Sequence, residues 1–165
     1  MSIDTVSAEP SGPLGEKVLQ FVTTMARLVS EADPPVTASY WAPLEAFVAV
    51  GDFERLVPED AFSNVEAGDA AGPDGESWST RAIGWHAYVE LFNGWVQSSP
   101  RYENSVRRIA EFPGLVYVEI EEHHTYGEMT SIFNSLSTYE FDDDGRICRI
   151  RVAPAADHLT VPTQP

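Results

Sequence analysis

The hydrophobic pattern of the C-terminal half predicts a series of antiparallel strands. In the segment LVYVEIEEHH, residues 115–124, apolar side chains occupy alternate positions at Val116, Val118 and Ile120. Side chains two residues apart lie on the same face of a strand. The segment therefore predicts a half-buried strand whose apolar face leads to Glu122 and His124.

The other strands are predicted from similar runs and from the turn residues between them. We expect three or four strands, near residues 102–111, 115–126, 129–141 and 146–153. The sequence Asp142–Arg146, with its Gly145, predicts a tight turn before the last strand.

The N-terminal half shows helical spacing instead. Between residues 14 and 31, apolar side chains recur every three or four positions: Leu14, Val18, Phe21, Met25 and Val29. Further helices are predicted over residues 39–50, over 53–57, and from Ser79 or Thr80 to residue 98. A short strand is predicted at 61–66, and a loop rich in Gly, Asp and Pro at 67–79.

This order of elements predicts one α+β domain. The strand meander is expected to form a curved antiparallel sheet, and the helices are expected to pack on its concave face. We expect the domain to span residues 14–156, with an N-terminal extension helix within 14–35. Residues 1–13 and 157–165 are predicted to be flexible tails.

Composition excludes several classes of partner. The 165 residues include 26 Asp and Glu but only 10 Lys and Arg, a net charge of −16. Nucleic acids and anionic membranes require clustered basic residues, so neither is an expected partner. Cys148 is the only cysteine, the N-terminus does not resemble a signal peptide, and no apolar run approaches the ~20 residues of a membrane span. We expect a cytoplasmic protein.

The order of elements over residues 39–153 resembles the nuclear transport factor 2-like superfamily. The residues that carry the resemblance are Val50–Phe53, Glu59–Phe62, Thr80–Ile83, Gly114–Tyr117, Tyr139–Phe141 and Gly145–Ile147. The superfamily includes SnoaL-like polyketide cyclases, ketosteroid isomerases and limonene-epoxide-hydrolase-like enzymes. The resemblance implies a cone-shaped sheet with helices on its concave face, an apolar pocket between them, and a homodimer formed through the sheet.

The catalytic residues of two of these enzyme groups are not retained as complete sets. Ketosteroid isomerases have an Asp base where this chain has Asn64–Glu66, an Asp at the position of Ser137, and a Tyr near Leu44. The Asp–Arg–Asp set of the epoxide hydrolases aligns with Ile120, Glu122 and Val152. In that set only the carboxylate at Glu122 is retained. The cyclases have a looser requirement, an acid/base carboxylate or histidine on the inner strand face, which Glu122 with His124 meets.

We therefore predict that Glu122 is the acid/base group and that His124 is its partner. Burial on an apolar strand face would raise the pKa of Glu122. If the strand has left the core by residue 122, both side chains are instead solvated. Ser137 and Tyr139 are predicted to donate hydrogen bonds to a substrate oxyanion. The predicted substrate-binding residues are Trp41, Glu66, Val118, Ile120, Phe133, Ser135 and Val152. No cofactor and no metal is expected.

Other interpretations of the polar residues remain open. Glu122 with His124, or Glu121 with His123, supplies two metal ligands, but a site needs more. His86 and Glu90 share the polar stripe of a predicted helix, which favours a solvated face. On the outer face of the sheet we expect opposite charges to pair across strands: Glu119, Glu121, Arg149 and Arg151.

Three functions fit these observations. The first is a cofactor-free enzyme that cyclises, isomerises or hydrates an apolar metabolite bearing a carbonyl or epoxide. The alternative is a non-catalytic module that binds a small ligand or dimerises on the same scaffold. The third is an accessory protein whose acidic surface or N-terminal helix binds a partner.

Overall fold

The computed structural model describes residues 9–56, 81–98 and 101–162. The helices are α1 (Pro13–Glu31), a 3₁₀ turn (Ala38–Trp41), α2 (Ala42–Glu45) and α3 (Trp85–Ser98). The strands are β1 (Glu54–Leu56), β2 (Arg81–Ile83), β3 (Arg101–Phe112), β4 (Leu115–Tyr126), β5 (Met129–Phe141) and β6 (Ile147–Pro162). The predicted strand at 61–66, the loop at 67–79 and most of the N-terminal tail lie outside the described residues.

The strands form one mixed sheet in the order β2-β1-β6-β5-β4-β3. Only β1 and β6 pair in parallel; the other neighbours are antiparallel. Register shifts interrupt the β3–β4 and β5–β6 pairings, and such bulges bend a sheet. The predicted α+β fold, a curved sheet with helices on its concave face, is confirmed.

Glycines with positive φ form the turns between the long strands. Gly114 (φ 71°) lies between β3 and β4, Gly127 (φ 60°) between β4 and β5, and Gly145 (φ 71°) between β5 and β6. In the last turn, Asp142 Oδ1 accepts hydrogen bonds from the backbone N–H groups of Asp144 (3.0 Å) and Arg146 (2.8 Å). The turn predicted at Asp142–Arg146 is therefore present, and its conformation explains the glycine.

Helix α1 packs against the sheet of its own chain. It buries a stripe of apolar side chains: Val18, Phe21, Val22, Leu28 and Val29. Its first turn has no side-chain cap of its own, but Glu111 Oε2 on β3 accepts a hydrogen bond from the Gly15 N–H at 2.7 Å. A carboxylate there also interacts favourably with the positive end of the helix dipole. The N-terminal extension is thus an integral layer of the domain.

Helix α3 has the predicted division into an apolar and a polar stripe. Trp85, Tyr88 and Phe92 are buried, whereas His86 and Glu90 are exposed. The i,i+4 pair is thus on a solvated face, as predicted. This helix closes the concave side of the sheet with an aromatic layer.

The predicted helix over residues 39–50 is wrong beyond Glu45. The chain leaves the helix because Val48 forms a parallel bridge with Ile147, and the Ala49 N–H donates to the Ile147 carbonyl at 2.9 Å. Pairing with β6 satisfies these backbone groups in place of helical hydrogen bonds. Local propensity was overridden by a contact distant in sequence.

Two further predicted helical segments are also wrong. Residues 54–56 form β1, which pairs with β2 and β6, and not a third helix. The helix expected from Ser79 or Thr80 begins only at Trp85, since β2 and then Gly84 (φ 85°) precede it. Both three-residue strands are too short to show an alternation in the sequence.

The last strand is longer than predicted. β6 was expected to end near residue 153, but it pairs with β5 as far as Pro162, opposite Met129. Most of the segment 157–165, predicted as a flexible tail, is therefore strand. The partner β5 provides backbone groups over this whole length, so pairing does not require an apolar alternation in β6.

The outer face of the sheet carries the predicted pairs of opposite charge. Glu119 pairs with Arg108 (3.2 Å) and Glu121 with Arg107 (2.5 Å), both across to β3. Arg149 bridges Glu140 and Glu54, each at 3.0 Å.

Candidate functional site

Glu122 and His124 lie on the inner face of β4, in line with its buried apolar residues. Their side chains are 14% and 9% exposed, respectively, and His124 Nε2 is 3.2 Å from Glu122 Oε2. The strand therefore has not left the core at residue 122, and both side chains lie inside as predicted. An adjacent carboxylate and imidazole occupy an otherwise apolar face.

Two hydroxyl groups complete the surroundings of the Glu122 carboxylate. The Ser135 hydroxyl on β5 donates to Oε1, and the Tyr102 hydroxyl on β3 donates to Oε2 at 3.2 Å. Asn104 Nδ2 in turn donates to the Tyr102 hydroxyl at 3.2 Å. We call the four residues Glu122, His124, Ser135 and Tyr102 the inner-face network. It draws on three neighbouring strands, so the sheet register holds it in place.

Aromatic rings hold the His124 imidazole in position. Phe133 stacks on it with ring centroids 4.8 Å apart, and Tyr102 meets it edge-on at 5.0 Å. Phe133 was predicted to be a substrate-binding residue, and the structure places it against the imidazole. A ring held by two others has a defined orientation, which is what proton transfer requires.

The expectation that burial raises the pKa of Glu122 is wrong in sign. Burial raises the pKa, but the hydrogen bond and charge of His124, with hydrogen bonds from Ser135 and Tyr102, together outweigh it. The pKa of the Glu122 carboxyl therefore lies below its usual range. Glu122 is a carboxylate at neutral pH, suited to accept hydrogen bonds and to orient His124.

This lowered pKa predicts an acid-dependent loss of stability. Where the unfolded chain binds a proton at Glu122 that the folded chain does not, unfolding becomes easier as pH falls. We expect the network's contribution to be complete above about pH 4.5, the ordinary value, and to be lost as pH falls through the lower folded-state pKa.

Urea unfolding of the wild type and Glu122→Gln between pH 7 and pH 3 measures this contribution. The difference in unfolding free energy between the two proteins should shrink with acidification. Glu121→Gln controls for the outer-face glutamate, whose pKa is also lowered, by its hydrogen bonds to His123 and Arg107. A difference that is independent of pH would contradict the assignment.

Ser137 and Tyr139 also lie on the inner face of β5, two and four residues beyond Ser135 of the network. Both are buried, and they pair in register with Val118 and Val116 of β4. Burial, followed by the nearby Tyr88 and the Glu122 charge, holds the pKa of Tyr139 far above its usual range. Tyr139 is therefore a neutral phenol, capable of donating a hydrogen bond.

The other predicted substrate-binding residues are divided between core and network. Val118 and Ile120 are buried, and Val152 packs against the core. Trp41 is fully buried, stacks on Phe92 and donates its N–H to Asn93 Oδ1 at 2.7 Å. Glu66 lies outside the described residues. A contact of any of these with a substrate stays a prediction.

Tyr102 and Asn104 were missed by the sequence analysis. Both lie on β3, where the alternation Tyr102, Asn104, Val106 places them on one face. Tyr102 is directly opposite His124 in the sheet. The alternation was visible in the sequence, but only the register shows that these side chains meet Glu122.

Other features of the described residues bear on the type of site. No cluster of three or more His, Cys, Asp or Glu among these residues is arranged to hold a metal ion. Nor do they include a helix with the length and apolar character needed to cross a membrane. Burial raises the pKa of the half-buried Cys148 thiol, so this thiol is not favoured as a nucleophile.

An open groove of about 610 Å³ lies between α1 and β3.

Comparison with known proteins gives matches of structure but not of sequence. No family model and no curated protein matches the chain. An NTF2-like protein from Anabaena variabilis is 12% identical, with a TM-score of 0.62, over 86% of this chain and 89% of that one. The chain has the nuclear transport factor 2-like fold.

Two enzyme-related structures share this fold. A candidate SnoaL-like polyketide cyclase from Jannaschia is 10% identical, with a TM-score of 0.58, over 88% of this chain and 90% of its own. An LEH-like epoxide hydrolase from M. tuberculosis is 16% identical, with a TM-score of 0.53, over 85% and 84%. At these identities the nuclear transport factor 2-like fold is shared, and the chemistry must be argued from this chain's own residues.

Proposed function

We propose that this protein is a small-molecule enzyme in which Glu122 and His124 carry out acid/base chemistry without a cofactor. The reaction is a cyclisation, isomerisation or hydration of an apolar metabolite bearing a carbonyl or epoxide. The proposal rests mainly on one observation: a buried carboxylate that accepts hydrogen bonds from Tyr102, Ser135 and His124.

The pair can move a proton in a simple way. In neutral His124, an Nε2–H that donates to Glu122 leaves Nδ1 as the basic nitrogen. When the ring takes a proton from a carbon next to a carbonyl, the Glu122 carboxylate stabilises the imidazolium that forms. Return of the proton at another carbon of the substrate completes an isomerisation. In a cyclisation, the enolate carbon instead bonds to a second carbonyl carbon of the substrate, and the imidazolium gives its proton to the oxygen of that carbonyl.

Hydroxyl donors on the same face supply the second requirement of this chemistry. Proton removal next to a carbonyl leaves an enolate oxygen, which needs hydrogen-bond donors. Ser137 and Tyr139 are buried hydroxyls on β5, and the raised pKa of Tyr139 keeps it protonated. We assign these two residues to the enolate oxygen.

The cost of the buried carboxylate favours an enzyme over a passive binding module. Burying the Glu122 charge costs free energy. A pocket that only binds an apolar ligand would not need that charge. Retaining it is understandable where the charge acts in a reaction. The solved cyclase-like and epoxide-hydrolase structures on this fold make the same classes of substrate the first to test.

The test measures turnover across a panel of 1,3-diketones, unsaturated ketones and epoxides, in D₂O. Deuterium incorporation next to the carbonyl, followed by NMR, reports proton transfer even where no net product forms. We expect Glu122→Gln to lose activity by a factor of about 100 or more, typical for removal of an acid/base group.

Glu121→Gln is the matched control. It makes the same change one residue away, on the outer face, where Glu121 is 2.8 Å from His123. This variant should keep wild-type activity. Equal rates in Glu122→Gln and wild type would remove Glu122 from the mechanism, and binding without exchange or turnover across the panel would support the binding module instead.

A further inference from the structure

Arg55 is a cation on the inner face of the sheet. It lies on β1 opposite Ile150 of β6, and Ile150 is opposite Tyr139 of β5. Ile150 and Tyr139 are buried on the concave side. This row of paired residues therefore places Arg55 on the same face as the inner-face network. Arg55 lies near the β2 edge of the sheet, whereas the network lies near the β3 edge.

Within the described part of the chain, the Arg55 guanidinium forms no ion pair with a carboxylate, and its polar neighbour is Tyr88, whose pKa it lowers by its charge and by a side-chain hydrogen bond. The Arg55 Cζ lies 5.5 Å from the centre of the Tyr88 ring. Its Nε is buried and, in the part of the chain that the structure describes, is the one buried side-chain nitrogen or oxygen without a hydrogen-bond partner. Arg149 on the outer face, by contrast, bonds to two carboxylates.

A buried Nε–H without an acceptor lowers the stability of the fold unless a bound group accepts its hydrogen bond. This cost is larger for a charged group than for a neutral one. Such unsatisfied groups are rare in folded proteins, and a functional role or a bound group is one of the explanations for them. The residue as a whole is only half-buried, so its side chain is not fully enclosed by the protein.

The hydroxyls of Tyr88 and Tyr139 interact electrostatically with both Arg55 and Glu122. Their pKa values are raised first by burial; the Arg55 charge lowers them, while Glu122 raises them further. A cation and a carboxylate thus share one interior, with neutral hydroxyls in range of both. This polarity would orient a substrate that is anionic at one end.

We propose that Arg55 binds a carboxylate group of the substrate, so that the substrate class is an apolar metabolite carrying a carboxylate. A guanidinium matches a carboxylate with two parallel hydrogen bonds, which a lysine cannot do. The inference rests on the proposed function, because it places the substrate in the site that Glu122 and His124 serve. It adds the recognition group that the acid/base proposal leaves open.

Binding of matched probes tests the inference without any turnover. The probes are 3-phenylpropanoate and 2-naphthoate with their primary amides, titrated while the arginine Nε–Hε signals are followed by NMR. For the wild type we expect the carboxylates to bind at least tenfold more tightly than the amides, with the Arg55 signal shifting. Arg55→Met should lose this preference.

Two controls separate this inference from the acid/base proposal. Arg108→Met removes an outer-face arginine paired with Glu119 and should keep the preference. Glu122→Gln should also keep it, since that residue is assigned to proton transfer and not to the carboxylate. If Glu122→Gln loses turnover but keeps the carboxylate preference, the acid/base role of Glu122 and carboxylate binding by Arg55 are separate properties. Each proposal can then fail without the other.

Thermal unfolding distinguishes binding from a structural role. Because the Nε is unsatisfied, Arg55→Met should leave the melting temperature unchanged or raise it. If Arg55→Met does not fold, Arg55→Lys decides: it keeps the charge without the planar fork and should bind the carboxylates several-fold more weakly. A carboxylate preference of wild-type size in Arg55→Met or Arg55→Lys, or wild-type protein that binds acids and amides equally or not at all, would overturn the inference.

Discussion

Glu122→Ala should destabilise the protein by about 3–5 kcal/mol at neutral pH, the usual cost of breaking a buried charged pair by removing one partner. Three buried donors, on Tyr102, Ser135 and His124, each lose an acceptor. Each such loss costs roughly 1–3 kcal/mol when no water takes the place of the carboxylate. The desolvation energy recovered with the charge offsets part of the sum, which keeps the total within this range.

Urea unfolding at pH 7 measures the effect, and the outer face provides the comparison. Glu121→Ala removes a carboxylate from an ion pair with Arg107 and from His123, in a side chain that is 24% exposed. Pairs in such positions contribute about 0–1 kcal/mol. If both alanine variants cost the same, the inner-face network would not be an energetic unit.

The long strands could be predicted from the sequence because their information is local. In β4 the alternation of Val116, Val118 and Ile120 is fixed by the geometry of a single strand. Turn glycines mark where β3, β4 and β5 end. The same alternation put Glu122 and His124 on the apolar face of the strand, but whether that face is still buried at residue 122 depends on the rest of the fold.

Elements that depend on distant partners could not be predicted in this way. β1 is a strand because β6 and β2 lie beside it, and its three residues alone carry no period. The helix predicted over residues 39–50 yields to a bridge between Val48 and Ile147 for the same reason. Propensity is a weak preference that tertiary pairing overrides.

The electrostatics of the site shows the same limit. Sequence gives the burial of Glu122, which alone would raise its pKa. The opposite result comes first from the hydrogen bond and charge of His124, and then from the hydrogen bonds of Ser135 and Tyr102. His124 was predicted as the partner of Glu122, but Ser135 and Tyr102 lie on other strands and were not connected to Glu122 before the register was known. Arg55, likewise, is significant only because its strand lies next to Ile150.

The second large effect concerns α1, whose role the sequence left open. Phe21 is 1% exposed and meets Phe47 and Tyr139 edge-on, with ring centroids 6.1 Å away in each case. Truncation of such a ring leaves a cavity, and Phe→Ala changes in cores cost about 3–5 kcal/mol. We therefore expect Phe21→Ala to destabilise the whole domain and not just fray its first helix.

The melting temperature is a suitable measure because a domain of this size loses about 2–4 °C per kcal/mol, which corresponds to a fall of about 6–20 °C. Thr23→Ala, on the exposed side of the same helix, should change it by little and controls for helix propensity. A single cooperative transition in Phe21→Ala would mean that α1 and the sheet unfold together. An unchanged melting temperature, or a separate early transition for the helix, would mean that α1 is an appendage, and its contact with Tyr139 would then have no part in shaping the inner face.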